Sequence, residues 1–85
     1  MRTLDEMRKD IDLLDAEIAE RLTRRFAVVA EIGDYKKHEG LPVVNAARED
    51  AVIEKIRSYG KTSAEKDALE AVYRTVIQQA RTLEK

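Results

Sequence analysis

The sequence predicts an all-α protein with three helices per chain: one long, one short and one of medium length. Apolar residues recur with helical spacing along most of the chain, and Pro42 is the only proline in 85 residues. The apolar set is mainly Leu, Ile, Val, Met and Ala, while aromatic residues make up only 5% of the chain. We see no alternating strand pattern, repeat or low-complexity segment, and therefore expect a single domain over residues 1–85.

The first helix is predicted to run from Leu4 to His38 or Glu39. Thr3–Glu6 has the capping-box pattern, and Gly40 suits the position just after the helix. The basic residues 36–38 lie where the negative end of the helix dipole favours positive charge. Its apolar residues recur every three or four positions up to residue 22 and again after a gap: Leu4, Met7, Ile11, Leu14, Ile18, Leu22, Val29 and Ile32.

Two shorter helices follow a connector over residues 40–44. Asn45 is a favourable N-cap for the second helix, which Ser58–Gly60 ends. Thr62–Glu65 is a second capping box and opens the third helix. The predicted inward residues are Val52, Ile53 and Ile56 on the second helix, and Leu69, Val72, Tyr73, Val76, Ile77, Ala80 and Leu83 on the third.

The length of the first helix predicts a dimer. About 35 helical residues extend roughly 52 Å, whereas a compact chain of 85 residues has a diameter near 30 Å. We therefore expect an obligate homodimer in which the long helices run against each other. The alternative is a helix that breaks near Arg24 and Arg25 and folds back into a monomeric bundle.

Composition limits the possible partners and locations. The chain has 16 Lys and Arg against 17 Asp and Glu, interleaved along the sequence, which argues against nucleic-acid binding. It has no cysteine, and hence no disulfide, thiolate nucleophile or thiolate zinc site. The start MRTLDEMRKDID is too charged for a signal peptide, and no apolar run is long enough to span a bilayer. We expect a cytoplasmic protein without a membrane partner.

Two cations share one face of the first helix with core-type residues. Arg25, Val29, Ile32 and Lys36 follow i, i+4, i+7, i+11 spacing. Either side chain alone could cover apolar surface with its stem and lift its charge into water. Two cations on this face instead favour a buried anion, because unpaired buried charges cost several kcal/mol each. That anion is either a protein carboxylate or a small molecule.

Arg8 and Glu84 are further charged residues beside predicted apolar rows. Arg8 lies about 25 Å from Arg25 along the helix, so only antiparallel pairing in a dimer could bring them together. Spacing alone favours a simple ion pair between Arg8 and Asp12. On the third helix Glu84 follows an apolar row and could belong to the same interior. The alternative is that it lies at a frayed, solvated end of the helix.

The inventory of reactive groups is also informative. The sequence has no serine–histidine pair, no metal-ligand spacing and no glycine-rich phosphate loop, and its one histidine suits a helix C-terminus. Several cations, one or two carboxylates and an amide lie on or beside the inward faces of the predicted helices. We predict a pocket for a small polyanion that works by shape and electrostatics.

Three stretches, MRKDID, ERLTRRFAVVAEIGDYK and GLPVVNAARE, resemble the all-helical AroQ class of chorismate mutases over essentially the whole chain. The spacing of five residues matches the family's active-site pattern without a gap: Arg8, Arg25, Lys36, Arg48 and Glu49. The resemblance implies an intertwined six-helix homodimer with two sites, each built from both subunits. It also implies rearrangement of chorismate to prephenate for phenylalanine and tyrosine synthesis, without metal or cofactor.

The resemblance also implies residue roles. The partner subunit's Arg8 and the host chain's Arg25 would hold the substrate carboxylates. Lys36 would meet a carboxylate and the ether oxygen whose bond breaks, and Glu84 would donate a hydrogen bond to that oxygen. Arg25, Lys36 and Glu84 are thus the expected catalytic residues.

The remaining residues of the implied site bind the ring and line the pocket. Glu49 and Asn45 would hold the ring hydroxyl, while Arg48 would line the site and organise its acids. Ala80 would add a small contact. Asn45 departs from the family pattern, where many members have aspartate, but its amide can still bond a hydroxyl.

Glu84 is the second departure, because many bacterial members have glutamine there. A carboxyl group donates a hydrogen bond only when it is protonated. We therefore expect a rate that falls as the pH rises, and a flatter profile for Glu84→Gln.

Two alternatives to a chorismate mutase remain open. The same fold could eliminate pyruvate from isochorismate or rearrange aminodeoxychorismate, since those substrates share the two carboxylates. The chain could also be a non-catalytic dimerisation module whose cations form salt bridges between subunits.

Overall fold

The computed structural model describes all 85 residues and contains three α-helices and no strand, which confirms the predicted all-α class. The helices are α1 (Leu4–Glu39), α2 (Ala46–Arg57) and α3 (Ser63–Glu84). Because α1 is continuous through Arg24 and Arg25, the alternative of a break there is wrong. None of the helices combines the length and apolarity needed to cross a membrane.

Local capping sets the helix ends where the sequence predicts them. The side chains of Thr3, Asn45 and Thr62 each accept a hydrogen bond from the backbone N–H three residues further on, at 3.1 to 3.2 Å. Gly40 ends α1 in the left-handed region, with φ of 68°, where a residue with a Cβ would be strained. Each helix is thus delimited by residues close to it in sequence.

The helix α3 is the centre of the fold. It packs against both α1 and α2, which do not pack against each other. The buried apolar side chains lie along these contacts: Val29, Ile53, Val76, Ile77 and Ala80. Val72 and Leu83, predicted to point inward, are 60% and 47% exposed, because one chain supplies nothing to cover their sides of α3.

The N-terminal half of α1 extends beyond the rest of the chain. Residues 1–20 are all exposed, and the molecule is 56 Å long. Its radius of gyration is 16.0 Å, against about 12 Å for a compact chain of this length. Apolar side chains on this half form an exposed row, called here the α1 stripe: Leu4, Met7, Ile11, Leu14 and Ile18. The prediction that α1 overshoots its own globule is confirmed.

Candidate active site

A cavity of about 320 Å³ lies between α1, α3 and the start of α2. Its size is that of a pocket for a small molecule. Seven of the eight residues predicted to bind substrate line it: Arg25, Lys36, Asn45, Arg48, Glu49, Ala80 and Glu84. Side chains that are far apart in the sequence therefore meet in one place, although their roles remain predictions.

The eighth residue, Arg8, lies outside the cavity. It is exposed on the N-terminal half of α1, about 25 Å along the helix from Arg25. No ion pair joins it to Asp12, so the pairing that spacing favoured does not form. Within a single chain, Arg8 cannot contribute to the cavity.

Lys36 is fixed by two acceptors. Its ammonium donates to Glu84 Oε1 at 2.6 Å and to the carbonyl oxygen of Val43 at 2.8 Å. The Lys36 and Glu84 side chains are only 20% and 10% exposed, which favours the ion pair over separate hydration. These bonds tie α1 to the last turn of α3 and to the connector before α2.

Gly33 allows the last turn of α3 to approach α1 this closely. A Cβ atom at Gly33 would lie 2.7 Å from the carbonyl oxygen of Glu84 and 2.8 Å from its Cα, which no side chain can tolerate without movement. Gly33 was not among the residues predicted from the sequence. The available signal was a glycine inside a helix, which costs about 0.5–1 kcal/mol relative to alanine and calls for a reason.

Glu49 and Arg81 form a two-pronged ion pair between α2 and α3. Arg81 Nε donates to Glu49 Oε2 at 2.9 Å, and a terminal nitrogen donates to Oε1. The hydrogen bond from Arg81 is the main cause of a lowered pKa for Glu49, which partial desolvation opposes and the charges of Lys36 and Arg74 assist. The same hydrogen bond raises the pKa of Arg81. Glu49 is therefore held as an oriented carboxylate.

Arg81 was also not predicted from the sequence. A lone arginine near a helix C-terminus is typical of a solvated charge that interacts with the helix dipole. The signal that could have identified it is its place one residue after Ala80 and four after Ile77, beside the predicted inward face of α3.

Two guanidinium groups in the cavity lack an acidic partner. The cavity carboxylates, Glu49 and Glu84, are paired with Arg81 and Lys36, which leaves Arg25 and Arg48. One terminal nitrogen of Arg25 is buried without any hydrogen-bond acceptor. The Tyr73 ring, with its centroid 5.4 Å from the Arg25 guanidinium carbon, supplies only a cation–π contact. This arrangement suits a ligand that brings its own negative charges.

The remaining cavity surface is an uncharged amide and an apolar wall. Asn45 Oδ1 accepts from the Arg48 backbone N–H as the cap of α2, so its NH₂ group is the part left to donate. Ala80 is buried and lies beside Ile77 on the wall. The cavity thus combines apolar and charged lining residues, as pockets for polar small molecules commonly do.

The fold and cavity together define a class. This is an all-α domain with a cavity lined by cations, two of which have no acidic partner. The sequence model of the chorismate mutase type II family matches residues 7–85, and the chain belongs to this family.

Individual proteins agree with this assignment. The chain is 36% identical over 90 residues to the bifunctional chorismate mutase/prephenate dehydratase of Aquifex aeolicus (strain VF5), covering 100% of this chain and 25% of that protein. It is 30% identical over 81 residues to the T-protein of Haemophilus influenzae, covering 94% of this chain and 22% of the relative. A T-protein of Enterobacter agglomerans is 30% identical over 82 residues, covering 95% and 22%. The chain thus spans about a quarter of the length of these relatives.

Proposed function

We propose that this chain catalyses the rearrangement of chorismate to prephenate, in the pathway to phenylalanine and tyrosine. The observation that best supports this is that two arginines lining the cavity, Arg25 and Arg48, have no acidic partner, and that a buried terminal nitrogen of Arg25 has no acceptor. Chorismate is a small dicarboxylate, and two such groups match its charge. Membership of the chorismate mutase type II family and the similarity to a bifunctional chorismate mutase support the same activity.

The chemistry of this reaction needs the kind of site that the cavity offers. The reaction is intramolecular: an ether C–O bond breaks while a C–C bond forms, so no nucleophile is required. Catalysis comes from holding the flexible enolpyruvyl group folded over the ring. It also comes from donors placed where negative charge grows on the ether oxygen.

The cavity side chains of the host chain have different roles in binding and catalysis. Arg25 holds a substrate carboxylate, and Arg48 lines the site. The acids are held by Arg81 and Lys36, so the expected role of Arg48 in organising them has no support in the structure. Two of the three N–H groups of the Lys36 ammonium donate to Glu84 and Val43, so the third is shared between a substrate carboxylate and the ether oxygen. Because the ammonium is ordered beforehand, little reorganisation is needed as charge develops.

The ring end of the cavity, defined here by Asn45, Glu49 and Arg81, faces the ring hydroxyl. Glu49 accepts its hydrogen bond and the Asn45 NH₂ group donates one to its oxygen. Ala80 contributes apolar surface. The finer choice among related substrates depends on this end, because the carboxylate-binding cations suit all of them.

Glu84 gives a prediction on catalysis. In the structure its Oε1 accepts a hydrogen bond from Lys36, and a carboxylate has no N–H or O–H with which to donate to the ether oxygen. The amide of Glu84→Gln can accept from Lys36 through its oxygen and donate through its nitrogen, so we expect this variant to have a higher kcat than the wild type. The measurement is kcat at neutral pH for both proteins. An unchanged or lower kcat would contradict the placement of Glu84 beside the ether oxygen.

We propose further that the active unit is the intertwined six-helix homodimer, with the partner subunit's Arg8 completing each site. The exposed α1 stripe supports this, because a row of large apolar side chains over residues 4–18 needs a cover. The position of Arg8 near this stripe, far from its own cavity, also supports it. That the domain comprises residues 1–85 and acts in the cytoplasm remains a prediction.

A complementation experiment tests the shared site. Arg8→Ala and Lys36→Met dimers should each be nearly inactive, since every site lacks one cation. After the two variants are unfolded and refolded together, about half of the dimers are mixed, and each mixed dimer has one complete site. Activity should then recover to about a quarter of the wild-type value. No recovery, with mixed dimers demonstrated by mass spectrometry, would contradict a site built from two chains.

The direct test of function is to follow the loss of chorismate absorbance with purified protein and to identify the product. Prephenate supports the proposal. Pyruvate from isochorismate, or turnover of aminodeoxychorismate alone, would select a different reaction on the same fold. If Arg25→Ala and Lys36→Ala change only dimer stability, the chain is a non-catalytic dimerisation module.

A further inference from the structure

Arg81 lies in the cavity wall without a role in the scheme above. Its guanidinium binds both oxygens of Glu49, and the two side chains are 42% and 21% exposed. The more deeply placed carboxylate is therefore covered by a cation that also contacts solvent. This pair changes the charge that a ligand meets at the ring end of the cavity.

We propose that Arg81 determines substrate specificity by neutralising Glu49, so that the ring end accepts a ring with a neutral hydroxyl and disfavours a ring with an ammonium group. The inference rests on the proposed function, because it concerns which relative of chorismate the same site prefers.

The charges at the ring end decide which ring substituent is favoured. A lone Glu49 carboxylate would attract an ammonium group strongly, since it is only partly hydrated. In the structure its charge is compensated by Arg81, while the neighbouring Asn45 is uncharged. Arg25 and Arg48, the cations in the same cavity without an acidic partner, add positive potential. An incoming ammonium therefore meets a neutral pair and two cations, whereas a hydroxyl can still donate to a free lone pair of Glu49.

Chorismate and aminodeoxychorismate form the probe pair. They differ in the ring substituent, hydroxyl in one and amine in the other, and an alkyl amine is largely protonated at neutral pH. The quantity to measure is the ratio of the inhibition constant of aminodeoxychorismate to the KM of chorismate. We expect Arg81→Met to lower this ratio about tenfold, because an exposed Glu49 carboxylate then attracts the amine.

Two further variants sharpen the test. Arg81→Lys keeps the charge but loses the two-pronged geometry, so its ratio should lie between those of wild type and Arg81→Met. Lys66→Met is the control. Lys66 is a cation on the same helix, but it does not line the cavity and is not among the charges that act on Glu49. Its removal should leave the ratio at the wild-type value.

A pH profile supplies an independent readout. The charged groups that act on Glu49 are Arg81 and Arg74 of α3 and Lys36 of α1, and Arg81 is the main cause of the lowered pKa. Glu49 must be ionised to accept from the ring hydroxyl, so kcat/KM falls when the pH drops below this pKa. Arg81→Met returns the pKa of Glu49 toward its ordinary value of 4.5 and should shift the acid limb to higher pH.

Failure of the inference about Arg81 can be distinguished from failure of the proposed function. An unchanged ratio and acid limb in Arg81→Met, with a native circular dichroism spectrum, overturns the inference. Equal loss of affinity for both compounds overturns it too, because that result marks a purely structural arginine. Failure of the proposed function looks different: the wild-type protein then forms no prephenate. In that case the dissociation constants of the two compounds, measured by calorimetry, give the same ratio and test Arg81 independently.

Discussion

Lys36→Met should lower kcat/KM for chorismate by a factor of about 10²–10³, equivalent to about 2.7–4 kcal/mol of barrier. The ammonium is held between Glu84 and Val43 at the cavity wall, where it is largely shielded from water. Methionine fills similar space but donates no hydrogen bond to the ether oxygen. Since that donation matters most as charge develops, most of the loss should appear in kcat.

The neighbouring lysine provides a control for Lys36. Lys37 has the same charge and helix propensity, is exposed and does not line the cavity. Lys37→Met should therefore stay within about twofold of the wild-type kcat/KM, as surface changes usually cost little. Circular dichroism checks that Lys36→Met remains folded, because Glu84 loses its partner. A folded Lys36→Met protein with wild-type kcat would refute the assigned role.

Gly33→Ala should lower kcat by about 10²-fold, the loss that a displacement of about 1 Å in catalytic geometry can cause. The new Cβ would meet the backbone of Glu84, so the last turn of α3 has to move away from α1. The buried residues Val76 and Ile77 lie about two turns earlier in α3, so the last turn can shift without unfolding the rest. The shift withdraws Glu84 from Lys36 and leaves the ammonium without its main anchor.

The effect on stability should be distinct from the effect on rate. Alanine favours the helix over glycine by about 0.5–1 kcal/mol, so α1 itself gains from the change. We expect urea unfolding to change little while kcat falls. Asp34→Ala is the control, since it also raises helix propensity but at the next position along α1, which is exposed. Equal, near-wild-type activity of both variants would show that the close approach at Gly33 does not position Glu84.

The helix boundaries followed from the sequence because the forces that set them are local. The Thr3, Asn45 and Thr62 caps and the left-handed Gly40 each act on backbone groups within a few residues, and the structure has all of them in place. The excess length of α1 was equally predictable, since a fixed rise per residue converts sequence length into distance.

The predicted site needed the resemblance as well as the pattern. Periodicity placed Arg25 and Lys36 on one face of α1, but it gave Arg8 a pairing with Asp12 that does not form. The placement of Glu84 in the site was the hardest to predict, because it depends on how α3 packs against α1 rather than on the neighbours of Glu84 in sequence. The family pattern supplied these residues, and the fold brings seven of the eight into one cavity.

The sequence by itself determined three helices, their ends, the outward apolar row on α1 and the cations that face inward, since each depends on residues within one or two helical turns. Only the tertiary structure showed that Arg81 neutralises Glu49, that Gly33 admits the backbone of Glu84, and that Val72 and Leu83 are exposed in the single chain. The physical reason is that these features arise where two helices meet. Contacts between residues that are distant in the sequence leave no periodic signal in either helix alone.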